Sequence, residues 1–573
     1  MGERRALSTL GNAHDDFGNS HAAIQCHRDS LAIAQELKSL ELEGGVLNNL
    51  GGALFRAGNF TEAESILRRS IHLWDSVRDT LGNEDNYRIT IFNTQAKTYR
   101  HLQQVLIAQE KIETALEISE QGRARALAHL LSKRSPEILE ATPQVGYLEV
   151  EKIRAIAKQS NSTLIEYSII YHSLIGKQHP KYRSSEILIW VISPTGEIYF
   201  QRVDISFLKN RGVAWRDLLK FSRASTGVEG RNTTLEKRQD TAIDGVEGLK
   251  QLYDILIKPI NSFLPKEKTA KVVFIPQGPL FFTPFSALPG ANDVRLIEKY
   301  TITTVPSIQV LDLIRQRTDT QKNNKLRTGQ DICKGKTLVV GNPEISMISA
   351  IESPIQLQSL DWAESEAQTI ARMLNTRPIT RKEATKGNVI SKMSDARLIH
   401  IAAHGLLDDI QQAGIPGAIV LSSEDCTDGI LTSDEIYSMK LNAELVVLSA
   451  CSTGKGDLTG DGVVGLSRCF IAAGVSALVV SLWAVNDLST ALLMMRFYQL
   501  LQKNLSAGDA LSQAQRWLHS VTNKELRLWL NEYSDWLSPT IKMALRRKLH
   551  KLDETNRPYR HHRYWAAFFT VGA

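Results

Sequence analysis

The chain has 573 residues, 43% of them hydrophobic and 23% charged, an ordinary composition for a folded water-exposed protein. That length exceeds one hydrophobic core, so about two to four domains are expected. The net charge of +6 is small for the length, and five scattered cysteines (Cys26, Cys333, Cys426, Cys451, Cys469) argue against a disulfide framework and for a reducing compartment. No basic stretch interleaved with stacking aromatics stands out, so direct nucleic-acid binding is not expected. The opening MGERRALSTL lacks the apolar core of a secretory signal. Ala6 stands where a myristoylation signal needs Ser or Thr. With no run long enough to span a membrane, the reading is cytoplasmic and free of membrane contact.

Residues 1–131 read as a helical solenoid. Leu10-Gly11 returns as Leu50-Gly51, Gly18-Asn19 as Gly58-Asn59, Ala23 as Ala63 and Ser30-Leu31 as Ser70-Ile71, each at an offset of 40 residues. A fixed period of this kind marks stacked helix pairs, with Gly-Asn turning the chain between helices. A third, less regular pair is expected over Tyr87 to Leu102 and Val105 to Leu131. The pattern resembles tetratricopeptide repeats with a period longer than the usual one of about 34. Such solenoids bind protein partners on a concave face and carry no chemistry of their own.

Residues 132–320 read as a linker and a first α/β half without a nucleophile. A helix precedes STLIEYSIIYHSLI, and EILIWVISPTGEIYFQRVDI signals a hairpin around Pro194-Thr195-Gly196. Residues 209–248 are polar and charged and read as partly disordered. A helix over 246–263 leads into the strand of KVVFIPQGPLFFTPFSAL. The second half, 321–573, alternates strands and helices. Strands are expected at 336–343, 397–403, 414–421, 444–450 and 476–482, with helices at 361–374, 432–439 and 463–474. A long helical stretch fills 487–520, and YWAAFFTVG reads as a last strand. That alternation implies a mainly parallel sheet covered on both faces.

Three buried strands end in RLIHIAAHG, VVLSACSTG and ALVVSLWAVND. Open parallel sheets place sites beyond the carboxyl ends of their strands, so His404 and Cys451 are expected on one rim. A thiolate attacks only when a partner takes its proton, and His404 is the candidate base. Gly405 and Cys451 are the candidate backbone donors for an oxyanion. Cys451 as a small buried hydrophobe is the plainer alternative. Cys469, inside the apolar GLSRCFIAAG, reads as core, and His400 as structural because a third metal ligand is lacking. The run Asp457 to Gly462 mimics the start of a calcium loop, but Arg468 stands where a bidentate Glu is required.

Several stretches together resemble the CHAT family of caspase-like folds related to separase. They are His404-Gly405 after HIAA, Ala450-Cys451-Ser452-Thr453 after VVLS, Gly465-Leu466 with Ala472-Ala473-Gly474, Ser481-Leu482-Trp483 with Asp487, and Tyr564-Trp565-Ala566-Ala567-Phe568. Phe497-Tyr498, Ala510-Leu511 and, upstream, Ile275-Pro276-Gln277-Gly278 also fit. The resemblance covers about 145 to 573 and implies a pseudo-protease-like first half and a caspase-like second half. It implies a cysteine endopeptidase with a Cys451/His404 dyad, His404 returning its proton to the leaving amine. It also implies an acid near Asp487 that holds a basic P1 side chain, hence cleavage after Arg or Lys. Asp487 as a helix N-cap before Ser489-Thr490 stays open beside it. No metal or organic cofactor is expected. The rival reading is a non-catalytic scaffold built from the same two modules.

Overall fold

The computed structural model describes residues 2–80, 85–123, 127, 131, 147–172, 183–210, 245–322, 329–344, 359–406, 417–424, 429–449, 457–459, 462–483, 487–550 and 553–572. Most of the polar 209–248 segment lies outside them.

Six helices open the chain: α1 (Gly2–Asp16), α2 (Ser20–Glu36), α3 (Leu40–Arg56), α4 (Phe60–Thr80), α5 (Asp85–Ala108) and α6 (Ile112–Gln121), each packed on the next. The 40-residue period has a structural meaning at two kinds of glycine. Gly18 and Gly58 turn the chain with φ of 76° and 80°, a left-handed conformation that glycine adopts without steric cost. The next residue bonds back in both repeats, Asn19 N–H to His14 O and Asn59 N–H to Leu54 O. Gly11 and Gly51 seat the second helix of each pair. A methyl at Gly11 would lie 2.6 Å from the His27 ring, and one at Gly51 2.5 Å from Leu67. The third pair breaks later than the sequence suggested: α5 runs on to Ala108, and the turn falls at Glu110, whose φ is 61°.

The α/β part is built on one sheet. Its strands are β1 (Ser162–His172), β2 (Arg183–Ile192), β3 (Ile198–Asp204), β4 (Ala270–Ile275), β5 (Tyr300–Thr304), β6 (Thr337–Pro343), β7 (Ile379–Arg381), β8 (Leu398–Ala402), β12 (Leu445–Leu448), β15 (Ala477–Ser481) and β16 (Phe568–Gly572). A second sheet holds β9 (His404–Leu406), β10 (Ala418–Val420) and β11 (Ile430–Thr432), and a hairpin pairs β13 (Asp457–Thr459) with β14 (Gly462–Val464). The main sheet runs β3-β2-β1-β4-β5-β16-β15-β12-β8-β6-β7 among the described residues. It is mostly parallel; β2 and β3 are antiparallel additions, and β16 runs against β15 but along β5. The first and second halves thus share one sheet, with β16 between them.

Strands of the second half are buried on both faces, as their continuous apolar runs require. Leu445 and Val447 of β12 face a core shared with the helices Asp361–Met373 and Asp487–Leu501, while Val446 and Leu448 face one shared with Leu466–Ala473. The expected helix over 487–520 is two helices, Asp487–Leu501 and Ala507–Ser520. Asn504 turns between them at φ 69°, and the Ser506 hydroxyl caps the second by accepting from Asp509 N–H.

The solenoid is continuous with this body. One hydrophobic core joins Leu102, Leu106, Leu116 and Ile118 to Leu164, Trp190, Val273 and Ile308. Within it, Glu120 of α6 accepts from the backbone N–H groups of Ile308 and Gln309 at 3.0 and 3.1 Å, satisfying the first turn of the helix Ile308–Lys322. The Arg123 guanidinium lies 3.0 Å from Glu166 of β1 and donates to the Ile275 and Pro276 carbonyls at 3.4 and 3.3 Å. The Glu166 contact is at ion-pair distance but lacks hydrogen-bond geometry. Burial, then the neighbouring Glu166 charge, push the Glu120 carboxyl well above its ordinary range.

Candidate active site

Strands β8 and β12 are parallel neighbours, with Leu398 opposite Leu445 and Ile401 opposite Leu448. The pairing continues past the ends: Ser449 N–H donates to Ile401 O at 2.9 Å. Paired residues differ by 47 in number (448 − 401), and so do His404 and Cys451 (451 − 404). Each therefore follows a paired strand position by three residues. His404 is half-buried and opens β9, where it pairs with Val420, and Gly405 pairs with Ile419. Cys451 lies outside the described residues.

The chain changes sheets between Ala402 and His404, so the alternation of β8 does not carry from His400 to His404. His400 stays in the core, fully buried. Its Nδ1 is 3.1 Å from the Tyr498 hydroxyl, and its Nε2 approaches a Glu366 carboxylate oxygen at 3.3 Å without hydrogen-bond geometry. Tyr498 and Glu366 come from the helices that cover this face, and burial pushes the Tyr498 phenol well above its ordinary range. Cys469 is buried in the helix Leu466–Ala473, and burial pushes its thiol up to about 12. A thiol in that state is no nucleophile. Asp487 opens the helix Asp487–Leu501, which starts a few residues beyond β15, the other neighbour of β12.

Two features of this half were not anticipated. Asn342 ends β6 with φ 46°; its side chain accepts from Leu360 N–H at 2.7 Å and donates to Glu364 at 3.1 Å. Gly341-Asn342-Pro343 after an apolar strand was the available signal for such a turn. The second is the β13–β14 hairpin, in the segment that follows Cys451. It lies against α5 of the solenoid and against the turn Gly278–Phe282 of the first half. Three-residue strands leave no readable period, so this hairpin was hidden in the sequence.

A CHAT domain model matches residues 246–573, and a tetratricopeptide repeat model matches 45–75. The match begins later than the resemblance read from about residue 145, leaving β1 to β3 ahead of it. Among curated relatives, tetratricopeptide repeat protein 28 of Mus musculus is 25% identical over 595 residues, with 84% of this chain and 24% of the relative covered. The Homo sapiens protein of that name is 24% identical with the same coverage. Outer dynein arm-docking complex subunit 4 of Xenopus laevis is 33% identical over 103 residues, 18% of each chain. The chain thus spans about a quarter of the first two relatives. Among solved structures, the Saccharomyces cerevisiae separase–securin complex at 3.0 Å superposes with a TM-score of 0.41 at 11% identity, covering 90% of this chain and 45% of that one. More than half of the sequence is matched by the CHAT model, and the chain belongs to the CHAT domain family, carrying tetratricopeptide repeats ahead of a caspase-like α/β fold.

Proposed function

We propose that the chain is a cysteine endopeptidase of the caspase and separase type, with Cys451 as nucleophile and His404 as general base. The observation that carries this reading is the strand register: residues 404 and 451 each follow a paired position of adjacent parallel strands by three residues. In the reaction, His404 takes the Cys451 proton and the thiolate attacks the scissile carbonyl carbon. The tetrahedral oxyanion is held by the N–H groups of Gly405 and Cys451. His404 then protonates the departing amine, the acyl-enzyme remains on sulfur, and water activated by the same imidazole releases the acid. A carboxylate at Asp487 would pair a guanidinium or ammonium of the P1 residue, giving cleavage after Arg or Lys.

The solenoid is the proposed regulatory element. Partner binding on its concave face would act on the rim through α5, which abuts the hairpin that follows Cys451. A second reading is a scaffold without turnover. It is favoured by the relatives, whose names speak of repeats and docking rather than cleavage.

The deciding experiment is a positional-scanning fluorogenic peptide library cleaved by wild type and by Cys451→Ala. Cleavage after Arg or Lys that disappears in the variant supports the peptidase. Cleavage that survives Cys451→Ala sinks the mechanism. If neither protein cleaves, and a basic acyloxymethyl-ketone probe leaves Cys451 unlabelled with and without a partner of the repeats, the scaffold stands.

A further inference from the structure

The surplus charge of this chain is localised. The whole sequence carries 68 Lys and Arg against 62 acids. Residues 539–564 alone contain eight of the former (Lys542, Arg546, Arg547, Lys548, Lys551, Arg557, Arg560, Arg563) against Asp553 and Glu554. That surplus of six equals the net charge of the whole protein, so the remainder is neutral.

The fold gathers the described cations of this segment, Lys551 lying outside the described residues, on one lobe. The helix Pro539–Leu549 buries Ile541, Leu545 and Leu549 and leaves Met543, Arg546, Arg547 and His550 outside. Those four positions are spaced i, i+3, i+4 and i+7, the spacing of a single helix face. The following loop folds back on the helix: the Lys548 ammonium sits 4.2 Å from the Tyr559 ring centroid and 5.8 Å from that of Tyr564. This brings Arg557, Arg560 and Arg563, all exposed, to the same lobe. Among the described residues, none of Arg546, Arg547, Arg557, Arg560 and Arg563 has an acid within ion-pair distance; Glu554 is engaged by Arg527 at 3.2 Å. Like charges held together in this way raise the free energy of the isolated surface and lower it again when an anion docks.

The chemistry of the anion follows from what else the lobe offers. The segment is basic and carries Tyr559 and Tyr564, so it departs from the reading that no basic stretch is interleaved with aromatics. The rings are not a platform for bases, however: Tyr559 is fully buried beneath Lys548, and Arg563 covers Tyr564 at 4.6 Å. What the lobe does expose is aliphatic. Met543 is 71% exposed within the arginine face, and Leu528, on the neighbouring helix Asn523–Glu532, is 62% exposed. A phosphodiester backbone has no complement for these groups, whereas methionine and arginine together are the composition of protein interfaces. We propose that the lobe formed by 523–549 and 553–564 is a docking surface for an acidic protein segment with aliphatic anchors, its carboxylates on Arg546, Arg547, Arg557, Arg560 and Arg563 and an apolar side chain on Met543. The proposal does not depend on turnover.

Fluorescence anisotropy with the full chain tests it. The probes are a labelled peptide of glutamates with a leucine at each helical turn, a peptide of glutamates alone, and an oligothymidylate. The leucine-bearing peptide binds tightest, and Arg546→Glu with Arg547→Glu weakens it about tenfold or more. Met543→Ser weakens that peptide alone. Unchanged thermal melting of both variants, whose altered side chains are exposed, separates lost docking from lost fold. Tightest binding of the oligothymidylate, absence of peptide binding, or peptide binding that neither variant weakens overturns the proposal.

Discussion

In the proposed dyad, Cys451 and His404 would depend on each other in an asymmetric way. Removing the thiol removes the bond-forming atom, whereas removing the imidazole leaves a thiol that ionises weakly near neutral pH. Cys451→Ala is therefore expected to abolish peptide cleavage, and His404→Gln to lower kcat by about a thousandfold or more with a smaller change in KM. Steady-state kinetics on the best library substrate reads both, and equal kcat in His404→Gln and wild type would remove the base from the mechanism. Asp487→Asn keeps the shape and cap-forming oxygen of the side chain but removes its charge. If the carboxylate binds P1, the preference for Arg and Lys over neutral residues falls about tenfold or more; an unchanged preference leaves Asp487 as a cap. His404, Gly405 and Asp487 could be picked out from sequence because each follows an apolar run that reads as a strand. The partners of His400 could not, since Tyr498 and Glu366 lie on helices 98 and 34 residues away in sequence (498 − 400 and 400 − 366).

Among the elements, the seal between α6 and the sheet is the most exposed to substitution. Arg123 is 4% exposed and its guanidinium serves Glu166, the Ser119 hydroxyl and the carbonyls of Tyr167, Ile275 and Pro276 at once. Arg123→Met leaves those acceptors and the Glu166 charge buried without their cation, a loss of about 3–5 kcal/mol, readable as a lower denaturant midpoint. Two histidines give the fold an acid limit. His101, on α5, and His562, near the end of the chain, are both held neutral by burial, with pKa lowered to about 3 from 6.5. As pH falls below 6.5 the unfolded chain takes protons that the folded one refuses until about 3, so stability declines over that window. The buried Glu120 works in the opposite sense over the same range, because above 4.5 its carboxyl is protonated in the folded chain and ionised in the unfolded one, so it offsets part of that decline. In pH-dependent melting, the double variant His101→Leu/His562→Phe is expected to lose less stability than wild type, or to gain it, as pH falls from 6.5 to 4.5; equal slopes in the two proteins would contradict it. The helix pairs were legible because glycine repeats at sites where nothing else fits. The third pair was misread because its turn falls on Glu110, a residue type that does not announce a left-handed conformation.

Across the whole molecule, the separation of a sensing solenoid from an α/β body was legible as a change of period, but their fusion was not. Glu120, Arg123 and Glu166 are distant in sequence from Ile308 and Ile275, and only the assembled core shows them as one joint. A solenoid fixed at α6 and resting on the rim hairpin at α5 is placed to transmit strain rather than to swing freely. If a partner of the repeats switches the enzyme, its addition raises cleavage by the full chain, and Arg123→Met weakens that response while leaving the partner's affinity nearly intact. Equal cleavage with and without partner would end the coupling idea.

The position of β16 bears on how the molecule is made. Phe568–Gly572 fills the gap between β5 and β15, so the two halves of the sheet have no bridge until these residues have left the ribosome. Until then β15 carries an open edge, and β8 and β12, which lead to His404 and Cys451, belong to an unfinished layer. Ribosome-stalled chains released before and after residue 572 should differ sharply in resistance to limited proteolysis around Ala477–Ser481; equal resistance would show that the sheet closes without its last strand.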